Sequence, residues 1–221
     1  SGIIALELVV DPEETTGDID YSDNTASSGT YTVTYDTELW PGYWEDASNL
    51  TTYITPSALD YLETKSLDFG EVRSCIEDWN GISSNMEFEV IESSSDLEDE
   101  QNENCVYLRF QEEYKDDETF AVANNYTYWS DGSFSPIPGS LVESYETEYI
   151  SSSVVLFKPG LDKTTSSKVA GTLRHEFGHV IGLKHPRCHD MSVMAHNVNL
   201  STFSPTLTGH DEYNVIRKYG Q

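Results

Sequence analysis

Basic residues are scarce in this sequence. Its 12 lysines and arginines face 39 aspartates and glutamates, which gives a formal net charge of -27. Phosphates repel so acidic a chain, so we expect neither nucleic acid nor an anionic membrane as a partner. The acidic residues are spread along the chain and point to no single pocket. We therefore interpret them as a solvated surface and not as a field that attracts cationic substrates.

Long apolar runs and cysteines are scarce as well. No run approaches the ~20 apolar residues that a membrane-spanning helix needs, so we predict no membrane insertion. The first residues lack the pattern of a signal peptide, which leaves export followed by trimming, or a chain that begins after its signal. Three cysteines (Cys75, Cys105 and Cys188) permit one disulfide, whose pairing the sequence leaves open. We expect a secreted, extracellular protein that is monomeric.

The chain has enough apolar residues for a core, since 37% are hydrophobic and 12% aromatic. Residues 11–30 are acidic and have almost nothing to bury. We therefore predict a mobile N-terminal segment or the remnant of a pro-region over residues 1–30. Residues 31–221 then form one domain, with an upper subdomain to about residue 182 and a lower subdomain over 183–221.

Hydrophobic periodicity predicts the secondary structure. β-branched, aromatic and alternating residues predict strands over 31–35, 50–54, 86–91, 105–110, 120–126 and 154–157. Helices are predicted from the capping box Asp68-Phe-Gly-Glu71 to about Trp79, from about Ser166 to Gly182, and from about Gly209 to Tyr219. Residues 129–148, with two prolines and two glycines, are predicted to form a long loop.

These elements predict an α/β (α+β) fold. We expect a twisted mixed sheet with a backing helix and an active-site helix. A small irregular C-terminal subdomain, ending in a helix, completes the expected architecture.

Residues 175–185 read HEFGHVIGLKH and have the spacing of a metal site. On a helix, His175 and His179 lie on one face, so both can reach one ion at ~2.0–2.1 Å. Gly182 can adopt the left-handed conformation that ends a helix, and Pro186 prevents its resumption. His185 can then act as a third ligand. Three protein ligands leave a fourth position for water, which is typical of a catalytic zinc.

The residue that follows the first histidine is suited to proton transfer. Glu176 lies beside the histidine pair, placed to act as the general base toward a metal-activated water. All six histidines of the chain lie between residues 175 and 210, whereas a random scatter would spread them. The sequence thus predicts one catalytic zinc with Glu176 beside it.

The extended motif resembles that of the metzincin clan of zinc endopeptidases. This resemblance implies a methionine-containing turn beneath the metal, and Met194 in Ser192-Val-Met194 matches it better than Met191. Over about residues 50–220 the chain is similar to matrixin or related bacterial catalytic domains, although only 175–194 is specific. The resemblance implies peptide-bond hydrolysis in proteins or peptides, with an extended substrate pairing along an edge strand.

Two departures from the families of this clan concern histidines. Matrixins bind a second, structural zinc through histidines upstream of the catalytic helix, and here no histidine precedes His175. Astacins and serralysins have a tyrosine two residues after the turn methionine, where this chain has His196. His196 is thus a candidate for contact with the substrate or transition state, although we favour a solvent-facing loop histidine.

Other polar residues near the motif receive simpler interpretations. His189 and His210 are expected to be surface or capping residues. Cys188 is open to three readings: a disulfide partner, a buried thiol or a thiolate near the metal. The acidic residues 96–100 lack the ligand spacing of a calcium loop, so a structural calcium has no support.

The alternative function is a catalytically silent zinc-containing binding module of the same fold. Such a module is expected to lose its general base, and the presence of Glu176 disfavours it. Zinc-dependent hydrolysis of a non-peptide bond is a third reading that the sequence leaves open.

Overall fold

The computed structural model describes residues 3–4, 7–9, 25–27, 31–32, 39–96, 102–114, 116–138, 141, 146–186, 191–195 and 203–220. The chain divides into two units, Ser1–Asp36 and Thr37–Gln221. In the first unit, two antiparallel pairs form: β1 (Ile3–Ile4) with β4 (Tyr31–Thr32), and β2 (Glu7–Val9) with β3 (Thr25–Ser27). The strand predicted over 31–35 is observed at its first two residues, and the others lie outside the described residues. The prediction of a mobile segment or pro-region remnant over 1–30 stays a prediction.

The second unit contains a six-stranded mixed sheet. Its strands are β6 (Leu50–Ile54), β7 (Phe88–Glu92), β8 (Cys105–Gln111), β9 (Ala121–Tyr128), β10 (Phe134–Pro136) and β12 (Ser151–Phe157). Their order is β10-β9-β12-β8-β6-β7. The β9 strand runs antiparallel to β10 and β12, and the other pairs are parallel. Two short strands, β5 (Tyr43–Trp44) and β11 (Glu148–Tyr149), form a separate parallel pair.

Helices α1 (Pro56–Thr64), α2 (Phe69–Glu77), α3 (Lys158–Leu161), α4 (Ser166–Val180) and α5 (Gly209–Tyr219) accompany the sheet, with a 3-10 turn at Ala47–Asn49. The predicted α/β fold with a mixed sheet is confirmed. The capping box is also confirmed: the Glu71 amide donates to Asp68 Oδ1 over 2.9 Å, and the Asp68 amide donates to Glu71 Oε2 over 2.9 Å. Within the described ranges, no helix is long and apolar enough to cross a membrane.

The sheet differs from the prediction at β8. In the strand predicted over 105–110, Val106 and Leu108 were expected to face one side and Tyr107 the other, and residues on both sides are buried. Tyr107 is covered on its own side of the sheet, where it stacks on Tyr53 of β6 with ring centroids 5.4 Å apart.

The long loop predicted over 129–148 is also wrong in part, because it contains β10 and the start of β11. Gly132 adopts a φ of 80°, and the amide of Trp129 donates to the Ser133 carbonyl over 2.8 Å. The chain thereby reverses, and β10 pairs with β9 only at residues 126–128. The outer edge of β9 is therefore left without a partner strand at residues 121–124, among the strands that the structure describes.

The structure answers part of the question of which cysteines could form a disulfide. Cys75 is a free thiol buried on α2, which excludes it as a disulfide partner. Burial raises the pKa of this thiol, so it is held in the protonated, unreactive form. Cys188 lies outside the described residues.

Candidate metal centre

The α4 helix carries the candidate site. Its N-cap is Thr165, whose hydroxyl accepts from the Lys168 amide over 3.4 Å. Apolar residues at helical spacing (Val169, Leu173, Phe177 and Val180) are fully buried. Phe177 meets Phe88 of β7 edge to face, with ring centroids 5.4 Å apart. This buried stripe fixes the rotation of α4 about its axis, and with it the direction of the polar side chains.

The three predicted histidines converge. The Nε2 atoms of His175, His179 and His185 lie 3.0, 3.1 and 3.2 Å from one another. Nitrogen ligands of a tetrahedral zinc, with bonds of about 2.0–2.1 Å, lie about 3.3 Å apart. The histidine triangle is therefore of the size that one ion requires, and the group could hold a metal ion.

The tautomers of two of these histidines also suit a cation. His175 Nδ1 lies 2.8 Å from the Val193 carbonyl oxygen, and His179 Nδ1 lies 2.8 Å from that of Leu183. A carbonyl only accepts, so each Nδ1 must carry the hydrogen and each Nε2 must present a lone pair. Lone pairs that face each other at this distance repel, whereas a bound cation satisfies them together. The donor set thus fits a divalent metal.

The third histidine reaches the triangle through the turn after α4. Gly182 has a φ of 79°, as predicted for the residue that ends this helix. Its amide donates to the His179 carbonyl over 2.9 Å, and the amide of Leu183 donates to that of Gly178 over 2.9 Å. This tight turn returns the chain so that His185 faces the two helical histidines.

Side chains from three distant elements complete the end of α4. Trp44 Nε1 donates to the Val180 carbonyl over 2.9 Å, Asn125 Nδ2 to that of His179 over 3.2 Å, and the Tyr219 hydroxyl to that of Ile181 over 2.8 Å. The bonds from Trp44 and Tyr219 satisfy carbonyls at the end of the helix, and the bond from Asn125 gives the His179 carbonyl a second donor beside the Gly182 amide. Sequence reasoning missed all three donors, because the donors are far from the motif in the chain and carry no local signal.

The turn that contains Met194 lies directly beneath the histidines. Met194 is buried, and a Cβ added to Gly178 would collide with its sulfur. The structure therefore brings Met194 against the helix turn between His175 and His179. Its apolar contact agrees with the predicted role as a floor, which is packing and not chemistry.

A buried carboxylate holds that turn. Asp211 accepts from the Ser192 hydroxyl over 2.5 Å and from the Val193 amide over 3.1 Å through different oxygens. It also accepts from the amide and hydroxyl of Thr208, both over 2.8 Å. Since the Val193 carbonyl orients His175, Asp211 acts on the triangle through the backbone of one residue, Val193. Sequence reasoning missed Asp211, although the Thr208–Asp211 spacing of a capping box was a usable signal.

Glu176 lies beside the histidines in a cleft of about 480 Å³. Its side chain is 7% exposed, and burial raises its pKa to about 8, while a hydrogen bond from the Ala123 backbone acts in the opposite direction. Trp40 forms another part of the cleft and stacks on His179, with ring centroids 4.9 Å apart. The cleft therefore combines the histidine triangle, a buried carboxyl group and an aromatic wall.

The free edge of β9 also borders this cleft, whose lining includes the backbone from Glu118 to Ala123. The Phe157 amide donates to the Phe120 carbonyl over 2.9 Å, so even-numbered residues of β9 point their backbone groups toward β12. The backbone N–H and C=O groups of Ala121 and Ala123 consequently point away from β12, toward the free edge of the sheet. The cleft thus offers an unpaired strand edge next to the histidines.

The remaining predicted residues are placed as follows. His196, Cys188 and His189 lie outside the described residues, so their interpretations stay predictions. His210 was expected at the surface or as a cap, and the surface interpretation is wrong: it is 2% exposed, in the first turn of α5. It is not part of the histidine triangle.

Comparison with known proteins adds no relative: no protein-family model matches the chain, and no curated protein sequence matches it. The geometry of the site is accordingly the basis on which a function can be proposed.

Proposed function

We propose that this protein is a zinc-dependent endopeptidase of the metzincin type, which hydrolyses peptide bonds in proteins outside the cell. One observation carries the proposal. Three imidazole nitrogens converge at 3.0–3.2 Å beside a buried carboxyl group, in a cleft bordered by a free strand edge. The methionine turn beneath the histidines supports the assignment to the clan, as does the tight turn at Gly182.

His175, His179 and His185 would hold the ion. When bound, zinc supplies Lewis acidity, which polarises the scissile carbonyl and lowers the pKa of a water molecule. The Val193 and Leu183 carbonyls keep the imidazoles of His175 and His179 in the tautomer that binds.

Glu176 performs the proton transfer in this mechanism. Its carboxylate accepts a proton from the attacking water and later delivers that proton to the leaving amine. Burial alone favours the protonated form, and a cation at the histidines favours the carboxylate, so the two effects oppose each other. A carboxyl group balanced in this way can both accept and release a proton near neutral pH.

The strand edge positions the substrate. An extended peptide can form backbone hydrogen bonds with the outward-facing amide and carbonyl of Ala121 and with the carbonyl of Ala123, as an added strand. The Ala123 amide already contacts Glu176. Such pairing is independent of side chains, so it suits an enzyme that acts on many sequences. Trp40 provides an apolar surface beside His179 for a substrate side chain.

The test is cleavage of casein and of a peptide library by the zinc-loaded protein, with and without a chelator. Glu176→Gln should lower kcat by at least a hundredfold while zinc remains bound, because the general base is lost and the ligands stay. Glu89→Gln is the matched control, since Glu89 is exposed on β7 and lies outside the cleft. Cleavage that survives the chelator or the Glu176 substitution would contradict the mechanism. Binding of peptides without any cleavage by the loaded protein would support the silent binding module instead.

A further inference from the structure

Glu118 lies in the lining of the cleft, just before β9 begins. Its backbone is fixed by Asp116, whose Oδ1 accepts from the amides of Glu118 and Thr119 over 3.2 and 2.8 Å. A Cβ added to Gly160 of α3 would collide with the Thr119 carbonyl, so this segment is also packed against a helix. The carboxylate of Glu118 therefore projects from a backbone of defined position.

Among the residues that the structure describes, no cation lies within ion-pair distance of Glu118. Its neighbour Asp117 forms an ion pair with Lys163, and Lys158 pairs with Asp162. The described residues that line the cleft include no lysine or arginine, and the ionisable ones among them are Glu118, Glu176 and the three histidines.

We propose that Glu118 makes the cleft selective for peptides that carry a lysine or arginine close to the cleaved bond. The inference rests on the proposed endopeptidase function and adds the substrate class. The amide of Ala123 contacts Glu176, so the scissile bond of a substrate paired with β9 is expected to lie beside Ala123. Glu118 precedes Ala123 by five residues. An extended substrate paired with β9 thus presents a side chain to Glu118 within about five positions of the scissile bond.

The overall charge acts in the same direction. A chain of net charge -27 attracts cationic peptides at long range, while Glu118 provides a specific contact at short range. The proposal thus replaces the earlier interpretation of the acidic residues, because it gives their field a part in attracting cationic substrates. Because Glu118 is exposed, we expect a preference of roughly tenfold in kcat/KM and a decrease of that preference with salt.

The experiment uses one peptide that the zinc-loaded protein cleaves. Each position within about five residues of the scissile bond is replaced in turn by Arg, Gln or Glu. At one position, Arg should exceed Gln roughly tenfold in kcat/KM, and Glu should fall below Gln. In Glu118→Gln the ratio of Arg to Gln should fall to about one, and in Glu118→Lys the preference should invert. Glu113→Gln, an equal change of charge outside the cleft, should keep the wild-type ratio.

Equal kcat/KM values for Arg, Gln and Glu peptides would overturn the proposal, and so would a preference that persists in Glu118→Gln. Peptide affinity of Glu176→Gln, combined with each Glu118 substitution, gives a readout that does not require turnover. Absence of all cleavage by the loaded protein would contradict the proposed function. In that case tighter binding of the Arg peptide, lost with Glu118→Gln, would still support the role of Glu118.

Discussion

The substitution of Asp211 tests how the protein holds its candidate metal centre. Asp211 is fully buried, and its four hydrogen bonds go to Ser192, Val193 and Thr208. Its carboxylate holds the Val193 amide over 3.1 Å, and the Val193 carbonyl receives the His175 Nδ1 hydrogen over 2.8 Å. Asp211 is therefore a positioning residue, and its removal should affect both the free energy of unfolding and the affinity for zinc.

The magnitudes follow from the four hydrogen bonds that Asp211 accepts. Asp211→Ala leaves the buried Val193 amide and the partly buried Thr208 amide without an acceptor, so we expect a loss of about 3–5 kcal/mol in the free energy of unfolding. In a domain of this size that loss lowers Tm by roughly 10 °C. Asp211→Asn keeps the shape and one carbonyl oxygen for three of the donors, so we expect about 1–2 kcal/mol. Loss of the fixed carbonyl partner of His175 should weaken zinc binding about 10- to 100-fold.

Thermal unfolding of the metal-free protein gives the first quantity, and competition with a chromophoric chelator gives the zinc affinity. Asp78→Asn is the control, because the Asp78 carboxylate is exposed and pairs with Arg174 of α4 at 2.6 Å. That substitution should cost below about 1 kcal/mol and leave zinc affinity unchanged. Wild-type zinc affinity in Asp211→Asn and Asp211→Ala would refute the proposed coupling, and so would an equal loss in Asp78→Asn.

Two further predictions concern the contact between Gly178 and Met194 beneath the histidines and the buried Lys218 of α5. Gly178→Ala should displace Met194 and lower both Tm and zinc affinity. Gly70→Ala, at an exposed helix position, should lower neither. Equal Tm values by calorimetry and equal zinc affinities by chelator competition for the two variants would contradict this prediction. Burial lowers the pKa of Lys218 from 10.5 to about 8, so between these pH values the unfolded chain holds a proton that the folded chain has released. The free energy of unfolding of the wild type, measured relative to that of Lys218→Met, should therefore rise by up to about 3 kcal/mol from pH 8 to pH 10.5. Below pH 8 the lysine is protonated in both states, so the cost of burying its charge is present in full. Urea titrations across this range measure the difference, and a constant difference would disprove it.

Features with a local cause could be predicted from the sequence. The capping box at Asp68 depends on residues three apart, and the left-handed turn at Gly182 depends on glycine itself. The convergence of the histidines followed from helical spacing plus that turn. In each case the physical cause lies within about ten residues of its effect.

Features set by tertiary neighbours could not be predicted in this way. Tyr107 lies on the side of β8 opposite Val106 and Leu108 and is buried as well, because it packs on Tyr53 of the neighbouring strand. The long loop over 129–148 contains a strand, since β10 gains its hydrogen bonds from β9. Glu118 reaches the cleft, and Asp211 reaches the turn that contains Met194, only through the path of the whole chain. Apart from the Thr208–Asp211 spacing of a capping box, no local pattern in the sequence indicates either position.

The donors at the end of α4 have a consequence for the order of events during synthesis. Trp44 lies 136 residues from its acceptor at Val180, and Tyr219 lies 38 residues beyond Ile181. Contacts over such separations form late in folding, after the chain entropy of closing long loops has been overcome. A growing chain that has not yet reached Asp211 also lacks the carboxylate that holds the Val193 amide. For the proposed peptidase, activity is thus withheld from each partly synthesised chain by the folding order itself.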